Sequence, residues 1–128
     1  RRLAQLSGRL ARAAAIGRVA DQRDQIEEQA RNAWSNLRTA RMNANLLRNQ
    51  ANISAEFLEL ARKERQLGKR SLIDVLSGET NLINAQSDAA SAESDVIIAS
   101  LTLLSVMGQL GAEVVSVVGD NLAPSGQR

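Results

Sequence analysis

The 128-residue chain has no cysteine, no histidine and no tyrosine. Without Cys there can be no disulfide, thiolate nucleophile or thiolate metal site. Without His the commonest general base and metal ligand is missing. An enzyme would have to work with carboxylates, Ser or Lys, and no converging set of these stands out, so no catalytic residue, metal site or cofactor is expected. Aromatic residues amount to one Trp and one Phe, which argues against a thick core built on rings. The single proline, Pro124, lies in the tail, and residues 18–67 contain neither Gly nor Pro. The start, with Arg9, Arg12 and Arg18 interrupting its apolar residues, does not read as a signal peptide. The longest uncharged run, residues 96–112, holds Ser100, Thr102, Ser105, Gly108, Gln109 and Gly111, and is slightly short and polar for a membrane span.

What remains is rich in Ala, Leu, Arg, Gln, Asn, Ser and Glu, a composition of long helices. The net charge of +2 conceals a division: residues 1–70 carry 15 basic and 7 acidic side chains, residues 71–128 carry 1 and 7. A nucleic-acid-binding arm would show a basic block without such a complement, whereas these halves are suited to lie against each other.

The spacing predicts a first helix over residues 3–67. From Ile26 its apolar and small residues step by four and three through Ala30, Ala33, Leu37, Ala40, Ala44, Leu47, Ala51, Ser54, Leu58 and Ala61, a heptad seam small enough for a neighbour to approach closely. A second seam, one residue earlier, holds Leu46, Ile53, Phe57, Leu60 and Leu67, with polar Gln50 and Glu64 between them. Gly8 and Gly17 are expected to bend or fray the helix, unless local close packing requires them. Gly68 can end the helix with φ > 0. Arg62, Lys63 and Arg65 precede it, where they complement the carbonyl end of the helix dipole. Ser71 then caps a new helix, with Asp74 three residues on in a capping-box position. Residues 68–71 are thus a tight turn.

The second helix is expected over residues 72–110, ended by Gly108 and Gly111. One seam is Val75, Gly78, Leu82, Ala85, Ala89, Ala92, Val96, Ala99, Leu103, Val106 and Leu110; its neighbour is Leu72, Leu76, Ile83, Ala90, Ile97, Leu104 and Met107, interspersed with Glu79, Gln86, Glu93 and Ser100. Residues 111–128 form a short apolar segment, undecided between helix and strand over 113–118, and a flexible tail. The fold class is therefore all-α, a long antiparallel hairpin. Two helices with two seams each cannot bury all four against one another, so this chain is built to assemble. Trp34 and Phe57 read as packing anchors. Gly68-Lys69-Arg70-Ser71 is not a phosphate-binding loop, because Lys63 stands where the upstream glycine belongs and Ser does not follow Lys directly. Aromatic interleaving of the kind that stacks nucleic-acid bases is absent.

The residues around the turn are less generic. LGKRSLIDVL (67–76), ETNLINAQ (79–86) and SAESDVIIASLTLLSVMGQL (91–110) strongly resemble the C-terminal periplasmic hairpin of TolC-like outer-membrane channels, in particular those serving type I secretion. The resemblance implies a homotrimer with an outer-membrane β-barrel, here absent, above a periplasmic helical tunnel. It also implies a periplasmic adaptor and an inner-membrane transporter as partners. Asp74 matches the aspartate of the tunnel-tip gate, which threefold repetition turns into a carboxylate ring; Ser77 replaces the second acidic residue of some members. Leu67, Gly68, Lys69, Arg70, Ser71 and Leu72 match the tip that contacts the adaptor. Arg70 matches an arginine that helps hold the tip closed, while Arg65 replaces a tyrosine with that role. The competing expectation is the coiled-coil hairpin of an adaptor itself, which would be flanked by β-rich segments; only residues 113–118 hint at one.

Overall fold

The computed structural model describes residues 1–122, apart from the side chain of Asn121. The expected tail beyond Leu122 lies outside the described residues. Two helices account for nearly everything: α1, Arg2–Gln66, and α2, Leu72–Leu122. Among the described residues there is no strand. The described residues pack as two units, one of Ser35–Leu101 and one of residues 1–34 with 102–122.

In the first unit the two helices form an antiparallel hairpin around the small-residue seams. Leu37, Ala44, Ala51, Leu58 and Ala61 of α1 are buried, as are Val75, Gly78, Ala85, Ala89 and Ala92 of α2. Ala51 clusters with Ala85 and Ala89 beside Leu47, and Leu58 and Ala61 cluster with Val75 beside Leu82. Progress toward the turn in α1 is matched by progress toward the turn in α2, which fixes the antiparallel register. The helices come close at Gly78, where a Cβ would stand 3.3 Å from Leu58 Cδ1. What glycine offers here is proximity, not backbone freedom.

The division of charge has a direct counterpart. Arg48 Nη2 donates to Glu93 Oε1 at 2.6 Å and Arg62 Nη2 to Glu79 Oε1 at 3.0 Å, each joining α1 to α2. These pairs are more than a third exposed, so they set register and sign more than they stabilise. Among the described residues no polar or charged residue is buried.

The second unit brings the start of α1 beside the end of α2. Ala33 is buried; Ile26 and Ala30 of α1 and Leu103, Val106 and Leu110 of α2 are half-buried. An open groove of about 600 Å³ lies between them, lined by Ile16, Val19 and Arg23 on one side and by Glu113, Val114 and Val117 on the other. Every one of residues 1–25 is exposed.

Several sequence expectations change. Helix α2 does not stop at Leu110; it runs through Gly108 and Gly111 to Leu122. Neither glycine has positive φ, and no new cap follows to reward a break. Their cost, roughly 1 kcal/mol each against Ala, is outweighed by continuous backbone hydrogen bonding. Residues 113–118 are consequently helix, not strand. Helix α1 is also continuous through Gly8 and Gly17, and a Cβ on either would meet nothing within 4 Å, so local packing does not require them. By length and composition alone, α2 is apolar enough to cross a membrane, with a stretch of mean hydropathy 1.7. One of the hydroxyls that made it look too polar folds back on the helix: Ser100 Oγ donates to the Val96 carbonyl at 2.8 Å.

The second seams stay outside. Leu46, Ile53, Leu67, Ile83, Ile97 and Leu104 are each more than 60% exposed. Trp34, expected as an anchor, is 53% exposed.

Candidate functional site at the helix turn

The turn is built from two complementary helix ends. At the end of α1 the Gly68 N–H donates to the Arg65 carbonyl at 2.9 Å and the Lys69 N–H to the Glu64 carbonyl at 2.8 Å. These two bonds with a left-handed residue between them are a Schellman motif. Gly68 has φ of +72° and is the only described residue in that region. At the start of α2 the Asp74 N–H donates to Ser71 Oγ at 3.3 Å, which satisfies one of the orphan donors of the helix. The capping role expected of Ser71 is thus present.

Arg70 is the most engaged residue of the turn. Its Nε donates to Glu64 Oε2 at 2.6 Å, and its guanidinium lies 5.3 Å from the centroid of the Phe57 ring. Both partners belong to α1, so Arg70 straps the turn back onto the helix it has just left. The pair is about 70% shielded from water on both sides, which makes it stronger than the exposed pairs along the hairpin. Phe57 is therefore an anchor, though for a cation and not for an apolar core. Lys69, by contrast, is exposed.

Asp74 is exposed on the first turn of α2, and among the described residues its carboxylate pairs with no cation. It faces water as a free negative charge. Around it the surface is apolar: Leu67 is 70% exposed and Ile73 74%, with Leu72 and Leu76 about half exposed. A shallow cleft alongside is lined by Arg62, Arg65, Leu72, Leu76 and Glu79. The site is thus a rigid corner carrying an apolar collar, an outward carboxylate and a basic flank. It holds no group of three or more acidic residues that could bind a metal among the described residues.

All the sequence-nominated residues come together at this corner because they are contiguous. Glu64, Phe57 and Ile73 were not singled out as part of it. A signal for Glu64 was available, since it is the acidic residue of its seam, one helical turn before a glycine corner that carries an arginine. Phe57 gives no such signal, because its role depends on how far the turn folds back.

No family model matches the chain, and no solved structure does. Among curated proteins it is similar to the outer membrane efflux protein BepC of Brucella suis biovar 1 (strain 1330), with 35% identity over 92 residues. The match covers 70% of this chain and 20% of BepC, so the chain spans about one fifth of that relative's length.

Proposed function

Since the chain belongs to the TolC-like outer-membrane efflux family, we propose that it forms one helical hairpin in the wall of a periplasmic tunnel, through which small molecules or proteins pass to the outside. One observation carries this reading. In each helix the small-residue seam is covered by the other helix, while the larger apolar seam beside it stays exposed. A lone hairpin that leaves its larger side chains in water is half of an interface. A closed ring of such hairpins, in a homotrimer, covers both seams of every helix. The channel does no covalent chemistry, and neither enzyme nor cofactor enters the reading.

In this reading the turn is the inner end of the tunnel. The exposed carboxylate of Asp74, repeated by symmetry, makes a ring that attracts cations and narrows the entrance. Leu67, Gly68, Lys69, Arg70, Ser71 and Leu72 form the contact for a periplasmic adaptor, which links the tunnel to an inner-membrane transporter. The adaptor-hairpin alternative loses its one support, since residues 113–118 are helical and the relative is an outer membrane efflux protein.

The test is Asp74→Ala in the full-length protein containing this chain, reconstituted in planar bilayers. Weakened preference for cations and reduced block by multivalent cations are expected. Unchanged single-channel selectivity would remove Asp74 from the gate.

A further inference from the structure

The opening helical turns of α1 have a character that the tunnel reading does not use. Residues 1–20 contain Arg1, Arg2, Arg9, Arg12 and Arg18, and the first acidic residue is Asp21. Leu3, Leu6 and Leu10 follow at steps of three and four, which places them on one helical face. They are 82%, 53% and 70% exposed, and none of them lines the groove against α2. Arg2, Arg9 and Arg12, spaced by seven and three, form an adjoining stripe. A continuous helix that carries a leucine face, an arginine flank and no compensating acid is a basic amphipathic helix. Such a helix lies in the boundary between headgroups and acyl chains.

We propose that this segment is an interfacial anchor that binds the surface of an anionic phospholipid bilayer. Charge complementarity selects the occupant. Guanidinium groups pair with phosphate oxygens through two parallel hydrogen bonds, and the leucine face enters the acyl boundary beside them. A polyanion without an apolar phase would leave the leucines in water, and there is no aromatic in the segment for bases to stack on. A second copy of this chain would cover the leucines, and that is one of the outcomes tested below. The proposal rests on residues 1–20 alone and does not require the tunnel reading.

The experiment is flotation of the 128-residue chain with vesicles of phosphatidylcholine, with and without phosphatidylglycerol. Binding is expected only with the anionic lipid, and it should weaken as salt rises. Each arginine near such a surface contributes enough that Arg2→Gln/Arg9→Gln/Arg12→Gln together should reduce the partition coefficient about a hundredfold. Arg38→Gln/Arg41→Gln, farther along the same helix, should leave it unchanged. In a Trp34→Phe background, Leu6→Trp should shift its emission to the blue on binding. Circular dichroism of each variant verifies that the helices are intact. Equal binding to neutral vesicles overturns the proposal, as does an equal loss in the Arg38/Arg41 control. So does Leu3→Ser/Leu6→Ser/Leu10→Ser abolishing self-association while leaving vesicle binding untouched, because the leucine face would then be a protein contact.

Discussion

The same substitution, Gly→Ala, should have different signs at different glycines, and the structure fixes each sign. Gly68 sits at φ +72° with no atom within 4 Å of where a Cβ would be. Alanine there meets no clash, and its whole cost is the left-handed backbone, roughly 1–2 kcal/mol. Gly108 is also free of neighbours, but it is in the interior of α2. Alanine there removes the entropic penalty of glycine and gains about 0.8–1.0 kcal/mol. Gly78 falls between: the helix backbone welcomes alanine, but the new methyl would press on Leu58 Cδ1 at 3.3 Å, and the two effects nearly cancel. With about 4 °C of melting temperature per kcal/mol for a chain of this size, Gly68→Ala should melt about 4–8 °C lower and Gly108→Ala about 4 °C higher. The assay is thermal unfolding followed by circular dichroism at 222 nm, with all variants at one protein concentration because association shifts the midpoint. An unchanged or raised midpoint for Gly68→Ala would refute the left-handed corner. A lowered midpoint for Gly108→Ala would mean that a neighbour absent from the single chain needs that glycine.

Two further predictions concern the packing and the strap. Leu58→Ala empties a buried point of the hairpin, where the residue is 4% exposed, and should cost about 2–5 kcal/mol in urea unfolding. Arg70→Lys keeps the charge but loses the planar stacking on Phe57 and the geometry toward Glu64. It should cost about 1 kcal/mol, and a double-mutant cycle with Glu64→Gln should recover a coupling of that order. Zero coupling would reduce the strap to a chance contact.

The hairpin was legible because its signals are local and repeated. Steps of three and four from Ile26 to Ala61 and from Val75 to Leu110 identify the buried line residue by residue, and every residue on that line is buried or half-buried. The corner was legible because Gly68, Ser71 and Asp74 are separate signals that agree. The end of α2 was not, because a glycine in sequence looks the same whether it stops a helix or is carried along. At Gly68 a cap and a fresh helix start follow; at Gly108 and Gly111 nothing does. The partners of Arg70 were hidden for another reason: they depend on how sharply the chain reverses, which spacing does not encode. The two seams were both visible, but spacing alone does not say which one the partner helix covers. Side-chain size decides it, since alanine lets the backbones close in where leucine would hold them apart.

Seven of the ten buried hydrophobic residues, Ala33, Ala44, Ala51, Ala61, Ala85, Ala89 and Ala92, end in a single methyl group. A surface of methyls has no long knobs to catch in a facing hole, so it resists separation far better than it resists slip. Leu37, Leu58 and Val75 are the three larger exceptions, and the last two, close to the turn, work as a clasp. The pair is pinned at its corner, while along the alanine track one helix can roll on the other like a smooth bearing. Motion of that kind would be cheap, and it would begin where the clasp is loosened.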